Sequence, residues 1–372
     1  MKRILQIVGT MDRAGAETMV MSLYRAIDKT EYQFDFVYFT ERPCDYDDEI
    51  LELGGKIYRI PESLASSSIR RTFELYKIIK NNKPFHAVHC HQLFSNAFHL
   101  IAAFCAGSKQ RIAHSHNTSD VNSKTLHGKL YQKFSRKIIN LLSTDFIACG
   151  DEAGKFLFPN QQNVVFIPNA VNVQKFINAK PNDTAQHFFK IEGISEKTMV
   201  LSQIGRLMPV KNVEFSINFA EYLKLKKIDF HICLVGAGRL ENDLKQLVQS
   251  KGLEKQISFL GVRSDIEKVL AHSDALLMPS FHEGFPVILV ESQTAGIPAL
   301  ISNRISSEVD LNMGLIEFCA LESSFDDWYK KLIELTSKPK MDAKARHDIL
   351  KDKGFDIEVS VKLLEKIYQQ HP

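Results

Sequence analysis

The stretch Ala275-Leu276-Leu277-Met278-Pro279-Ser280-Phe281-His282-Glu283-Gly284-Phe285-Pro286-Val287-Ile288-Leu289-Val290-Glu291 decides the fold class. Its first four residues form a short, wholly apolar run closed by a proline, the pattern of a buried strand. Pro286 suits the first turn of a helix, which the apolar spacing carries to Ala295. Glu283 therefore stands in a loop beside a helix N-terminus, where unpaired amides and the helix dipole favour a phosphate. Glu291 lies two turns into the helix in an otherwise apolar stretch, where an acid is costly unless it is hydrogen-bonded. A carboxylate that accepts from two ribose hydroxyls meets that requirement; a core glutamate paired to a structural donor is the alternative.

The same strand–loop–helix unit recurs on both sides. Towards the C-terminal half the expected strands are Met199 to Gly205, Phe230 to Gly236, Ile257 to Gly261, Ala275 to Ser280 and Ala299 to Ser302, with helices at Val213 to Leu223, Arg239 to Gln249, Asp265 to His272 and Val287 to Ala295. Before a polar stretch of weak periodicity, Asn172 to Lys197, a second series reads as strands Arg3 to Gly9, Phe34 to Thr40, Lys56 to Pro61, Ala87 to His91, Arg111 to His116, Phe146 to Gly150 and Val164 to Pro168. Helical periods fill the gaps at Ala16 to Ile27, Arg70 to Asn81, Phe94 to Cys105 and Lys129 to Leu142. Apolar runs alternating with helical segments make an α/β protein with two Rossmann-like, doubly wound domains. A chain of 372 residues also exceeds the usual ceiling for one core. Ligands bind outside the carboxyl ends of such sheets, so two halves facing each other are expected to make a central cleft.

Composition narrows the class. Hydrophobic residues at 44% and charged residues at 24% are ordinary for a globular chain. Six scattered cysteines without a CxxC pair read as buried thiols in a reducing compartment. The apolar run after Met1-Lys2-Arg3 is too short for a signal-peptide core, and the longest mainly apolar stretch, Ala97 to Ala106, falls below the roughly 20 residues of a membrane span. A cytoplasmic protein is expected. Between Arg70 and Lys137, twelve Lys or Arg stand against two acids, Glu74 and Asp120. That basic half suits an anionic membrane surface, a phosphate-bearing substrate or a nucleic acid; no nucleic-acid module signature accompanies it, so no nucleic-acid partner is expected.

Four further segments carry candidate chemistry. Gly9-Thr10-Met11-Asp12-Arg13-Ala14-Gly15-Ala16-Glu17 joins a strand to a helix and places backbone amides where a phosphate could sit, but it does not fit GxGxxG, and taken alone it reads better as a βα turn that needs a flexible residue. Gly205-Arg206-Leu207-Met208-Pro209-Val210-Lys211-Asn212 puts two cations at a strand end just before a helix, positioned to stabilise a departing nucleoside diphosphate; solvated loop charge is the alternative. His89/His91 and His114/His116 form two His-x-His pairs on strands, each pair facing one way. Zinc is the sharp alternative to cleft-lining histidines, but no nearby Cys or carboxylate completes a ligand set. Asp45-Tyr46-Asp47-Asp48 has the DxD spacing of a metal–diphosphate site, yet it precedes Glu49-Ile50-Leu51-Glu52 and reads better as the acidic start of a helix. Lys124 to Leu142 mixes basic and apolar residues as an amphipathic helix suited to a membrane surface or as an ordinary packed helix.

Taken in order, these segments resemble the retaining GT-B glycosyltransferases of family four, over nearly the whole chain. Gly15-Ala16-Glu17 is similar to that family's N-terminal Gly-Gly-Ala-Glu loop, Ile112-Ala113-His114-Ser115-His116-Asn117 to its central histidine strand, and Ile167-Pro168-Asn169-Ala170-Val171-Asn172 to its Pro-Asn-Gly-Val-Asp linker. Gly205-Arg206-Leu207 with Lys211-Asn212, Leu234-Val235-Gly236-Ala237-Gly238, Phe259-Leu260-Gly261 and the Glu283/Glu291 pair follow in the family's order. Ala14 departs from the usual first glycine, and Ala170 and Asn172 from the linker's glycine and aspartate.

The resemblance implies a GT-B fold with an acceptor-binding domain over residues 1–168, to which a helix at 356–372 crosses back, and a donor-binding domain over 169–355. It implies that Gly15 approaches the diphosphate or donor sugar, that Arg206 and Lys211 hold the diphosphate, that Glu283 binds donor-sugar hydroxyls and Glu291 the ribose. Val262 would border the nucleobase, Gly284, Phe285, Pro286 and Val287 would line the sugar and phosphates, and His116 would touch a hydroxyl near the transferring sugar. No cofactor and no metal are implied, since the nucleotide sugar, by family habit a UDP-sugar, is a co-substrate. The likeness is strongest to the bacterial exopolysaccharide and capsule branch, through Arg111 to Asn117 and through Ile301-Ser302 with Ser306-Ser307-Glu308-Val309-Asp310. That branch implies a lipid-diphosphate-linked saccharide acceptor and possible peripheral membrane contact. A catalytically silent nucleotide-sugar-binding protein and a GT-B-shaped sugar-nucleotide 2-epimerase are the competing expectations.

Overall fold

A computed structural model describes residues 1–13, 15–117, 120, 125–181, 184–191 and 193–370. The chain divides into two compact units, Met1–Val171 with Gly354–Pro372, and Asn172–Lys353. The first boundary therefore falls three residues later than the expected 168. Val171 donates its amide to Phe355 O and accepts from Ile357 N (3.0 and 3.1 Å), which ties the linker strand to the returning C-terminal segment.

The first unit is a seven-stranded parallel sheet in the order β3-β2-β1-β4-β5-β6-β7. Its strands are β1 (Lys2–Ile7), β2 (Tyr32–Tyr38), β3 (Ile57–Arg59), β4 (Ala87–Cys90), β5 (Gln110–Ser115), β6 (Asp145–Ala148) and β7 (Val164–Phe166). A parallel sheet is covered on both faces, so its strands are apolar on both sides. Leu5 and Ile7 pack beneath the helices Ser68–Asn81, Asn96–Cys105 and Leu126–Leu142, whereas Ile4 and Val8 pack beneath Gly15–Ala26 and Ile357–Gln369. Gln6 interrupts the buried apolar part of β1, a fully buried amide on the second of these faces.

The second unit is a six-stranded parallel sheet in the order β10-β9-β8-β11-β12-β13, built from β8 (Met199–Ile204), β9 (Phe230–Val235), β10 (Ile257–Phe259), β11 (Ala275–Met278), β12 (Ala299–Ser302) and β13 (Ile316–Cys319). Helices Val213–Leu225, Glu241–Ser250 and Phe325–Ser337 cover one face around the buried Trp328. The other face packs on Val287–Ala295 and on the short helices of the polar linker, Val173–Ile177 and Ala185–Phe189.

Both sheets reverse their strand order once, between β1 and β4 and between β8 and β11. These are the switch points at which an open sheet leaves room for a ligand. The expected strands occur at their expected places; β13 and the helices Asp151–Leu157, Phe325–Ser337 and Ala343–Asp352 are among the additions, as are the short helices Glu62–Ala65, Val173–Ile177 and Ala185–Phe189. β13 is a four-residue edge strand, buried at its two ends and half-buried between them, too short for periodicity to reveal. The DxD segment starts the helix Asp47–Glu52 as expected; Asp47 accepts from Cys44 N and from Arg59, and Asp45 from Arg13 N. Ala14 and Lys124 lie outside the described residues.

Candidate active site

At the second switch point the loop after β8 meets the loop after β11. Lys211, at the end of a short 3-10 turn, donates through Nζ to both oxygens of Glu283, at 2.7 and 2.8 Å. Ser280 Oγ donates to Glu283 Oε1 at 2.6 Å and Asn212 Nδ2 donates to Pro279 O at 3.0 Å. The ion pair is largely shielded, with 21% and 11% of the two side chains exposed. Its geometry is fixed by both carboxylate oxygens, and an ammonium has three donors, so one remains for an incoming anion. Arg206, five residues earlier, is exposed and its guanidinium has no hydrogen-bond or ion-pair partner among the described residues.

Neighbouring glycines let the loops interlock. A Cβ on Gly236 would lie 2.1 Å from Gly205 O, and one on Gly238 would lie 2.4 Å from Leu207 O. Their absence lets Gly205 N donate to Val235 O and Leu207 N to Ala237 O, while Gly236 N reaches Gly261 O, lacing together the ends of β8, β9 and β10. Val262, just past that third end, is 54% exposed.

Pro286 caps the helix Val287–Ala295 without a side-chain hydrogen bond to its first amides, and Gly296 ends it at φ 74°. Gly284 borders open space, Val287 is half-buried, and Phe285 is half-buried against the apolar cluster around Leu289. Two turns along, Glu291 is part-buried with no hydrogen-bond or ion-pair partner among the described residues. Burial pushes its carboxyl up to about 7; the charge of Lys175 opposes that shift and Glu267 adds to it. Lys175 itself is paired with Glu267 at 2.9 Å. The alternative of a core glutamate held by a structural donor is therefore not what this helix contains.

At the first switch point the side chains are of another kind. Pairing of β1 with β4 sets Gln6 opposite His89, and pairing of β4 with β5 sets His89 opposite Ile112. All four histidines consequently gather on the face covered by Ile357–Gln369. His91 Nδ1 meets His116 Nε2 at 2.9 Å and His89 Nε2 meets His114 Nδ1 at 3.2 Å. Within the pairs the rings lie close, with centroids 4.3 Å apart and tilted for His89/His91 and 4.1 Å apart and stacked for His114/His116. Burial holds the imidazoles neutral, His89 lowered to about 3, His116 to about 4, and His91 and His114 well below their ordinary value.

His89, His91 and His114 bring ring nitrogens within 4.8 Å of one another, the separation at which a metal enters consideration. Their directions do not suit one. The His89 and His114 ring planes are within 10° of parallel and the two rings meet nitrogen to nitrogen at 3.2 Å, whereas ligands held at about 2.0–2.1 Å must aim at a shared third position.

A small cavity of about 170 Å³ beside this cluster is lined by Gly9, Thr10, Glu17, His91 and Gln92 at the start of Gly15–Ala26. Gly15 is exposed and a Cβ there would meet nothing within 4 Å among the described residues. Sequence reasoning missed Gln6, Tyr368, Ser280, Lys175 and Glu267. Gln6 alone carried a signal, as an amide inside the apolar run Ile4 to Val8.

Comparison with known proteins gives the family. Residues 13–175 match the family described as Glycosyltransferase Family 4, and residues 184–351 match Glycosyl transferases group 1. The chain is 34% identical to the putative glycosyltransferase EpsF of Bacillus subtilis, over 99% of this chain and 96% of that protein. It is 28% identical to a UDP-Gal:alpha-D-GlcNAc-diphosphoundecaprenol alpha-1,3-galactosyltransferase of Escherichia coli, over 72% of this chain and 68% of that one. Among solved structures, HepE of Anabaena in complex with UDP superposes with a TM-score of 0.77 at 15% identity, covering 98% of this chain and 99% of that chain. With two Rossmann-like sheets, both family matches and a full-length relative, the chain belongs to the GT-B glycosyltransferases of family four.

Proposed function

We propose that this glycosyltransferase moves a sugar from a UDP-sugar to a lipid-diphosphate-linked saccharide in cell-surface polysaccharide synthesis, with retention of anomeric configuration and without a metal ion. The observation that carries the reading is the Lys211–Glu283 pair spanning the second switch point, flanked by Arg206 and by the carboxylate of Glu291, both unpaired among the described residues. A nucleoside diphosphate needs cations for its phosphates and an acceptor for its ribose hydroxyls, and these residues offer both. The uncapped start of Val287–Ala295 adds free amides beside Gly284 to Val287.

In this reading Arg206 and Lys211 take the diphosphate, Glu283 the donor-sugar hydroxyls, Glu291 the ribose, and the exposed Val262 borders the base. Gly15 gives backbone room at the start of its helix, and His116 contacts a hydroxyl of the transferring sugar. The bond from the anomeric carbon to the diphosphate breaks as the acceptor hydroxyl attacks on the same face, and the hydroxyl proton passes to a departing phosphate oxygen. Charge on the leaving group and placement of the reactants supply most of the acceleration. A lipid-linked acceptor agrees with the names of two relatives, the E. coli galactosyltransferase and a Campylobacter jejuni N,N'-diacetylbacillosaminyl-diphospho-undecaprenol alpha-1,3-N-acetylgalactosaminyltransferase.

No helix among the described residues is long and apolar enough to cross a membrane. Peripheral contact is part of the proposal, since Leu126–Leu142 exposes Leu126, Leu130, Phe134 and Leu141 beside Lys129 and Lys133.

The test is thermal stabilisation by a panel of nucleoside diphosphates and their sugars, with and without EDTA. A ligand at about a hundred times its Kd adds about 2.7 kcal/mol to the folded state, so the preferred donor stands out. A shift with one UDP-sugar that EDTA leaves unchanged is expected, as is an α-linked product from an α-linked donor. Absence of a shift with every nucleotide rejects the proposal.

A further inference from the structure

The four histidines are wired to two side chains that lie far away in sequence. Gln6 Oε1 is 2.8 Å from His91 Nε2, and Gln6 Nε2 is 3.3 Å from the Tyr368 hydroxyl, which is itself 3.0 Å from His89 Nδ1. An amide oxygen only accepts, so His91 carries its proton on Nε2 and presents a lone pair at Nδ1. His116, 2.9 Å away, must then donate through Nε2, leaving Nδ1 as its lone pair. That Nδ1 is buried and has no partner among the described residues.

We infer that Gln6, held by Tyr368 and acting through His91, is a positioning residue that fixes the tautomer of His116, so that His116 meets its substrate hydroxyl as a hydrogen-bond acceptor at Nδ1. The inference rests on the hydroxyl-contacting role given to His116 above. Neutrality of the rings makes the tautomer decisive, because an imidazolium would donate from both nitrogens. The low proton affinity of His116 also makes it a poor base, so its contribution is to orient a hydroxyl. A bare buried lone pair costs free energy until something donates to it, and a docked sugar hydroxyl offsets that cost. The alternative use of the cluster, a metal bound by His89, His91 and His114, requires the rings to turn out of both nitrogen-to-nitrogen contacts.

The experiment is long-range ¹H–¹⁵N correlation on protein labelled at histidine, with the His116 signals assigned by their loss in His116→Gln. Wild type is expected to show His116 protonated at Nε2. Gln6→Met keeps the side-chain length but removes the acceptor; it is expected to transfer part of the His116 proton to Nδ1, and to lower kcat about tenfold while the donor KM stays within about twofold. A His116 proton on Nδ1 in wild type overturns the inference, as do identical His116 signals in wild type and Gln6→Met. Stoichiometric metal in the purified protein, lost with His89→Ala, overturns it too. The spectra read the tautomer whether or not sugar is transferred: the expected tautomer in a protein that binds no nucleotide sugar rejects the donor reading, and the opposite tautomer in an active enzyme rejects only this one.

Discussion

At the switch point of the second sheet the functional side chains are ionisable groups at loop and helix ends, exposed or half-buried, whereas at that of the first sheet they are neutral imidazoles, three of the four buried. The second unit sets Lys211 against Glu283 and leaves Arg206 and Glu291 without hydrogen-bond or ion-pair partners among the described residues. The first unit stacks four uncharged imidazoles beneath the C-terminal helix and terminates them on an amide and a phenol. One topology thus supports two kinds of control. Charge at loop ends acts on a charged leaving group and is tolerated where it is paired, as Lys211 is with Glu283, or exposed, as Arg206 is. A buried neutral network specifies where protons sit, which demands complete geometric definition and suits a site that must read hydroxyls.

The largest expected effect tests the charged side. Lys211→Ala removes a phosphate donor and strands Glu283, and is expected to lower kcat about 10²–10³-fold, as loss of a transition-state donor does; steady-state kinetics with the preferred donor measures it. A loss confined to KM would show that the pair acts equally on ground and transition states.

A smaller effect sharpens the contrast through pH. With its carboxyl raised to about 7, Glu291 is largely protonated below that pH and accepts ribose hydroxyls poorly. Nucleotide affinity is therefore expected to grow as pH rises through about 7 and then level off. The sign for the free protein is opposite. The unfolded chain gives up this proton first, near the ordinary carboxylate pKa, so the folded state loses stability from there up to about 7. Glu291→Gln removes both dependences and weakens nucleotide binding about tenfold at high pH, where one hydrogen bond to a charge is lost. Calorimetric titration across that range decides it, and a flat profile in wild type breaks the assignment of Glu291 to the ribose.

The smallest expected effect concerns the acidic segment that imitates a metal site. Asp45→Asn is expected to change kcat less than about twofold, with or without EDTA, because Asp45 serves a local backbone contact to Arg13. A variant that becomes dependent on added manganese would return the segment to the chemistry.

How much could be read beforehand follows the same division. Arg206, Lys211, Glu283 and Glu291 lie in short segments next to strand ends, and strand periodicity, Pro286 and the glycines place those ends from local information alone. The His-x-His spacing likewise showed that each pair faces one way. It did not show that the pairs meet, since that depends on β4 lying beside β5 in a particular register.

The amino-acid sequence by itself determined the two parallel-sheet units, their junction to within a few residues and the charged side chains, because hydrophobic period and turn chemistry act over a few residues. Tertiary structure decided that Lys211 closes on Glu283, that Glu291 lacks a hydrogen-bond or ion-pair partner among the described residues, and that Gln6 and Tyr368 terminate the histidine network. These are contacts across 72 residues for the ion pair and 279 residues between His89 and Tyr368. Hydrogen-bond partners at such separations are fixed by strand order and by where the last helix docks, and no local pattern encodes either.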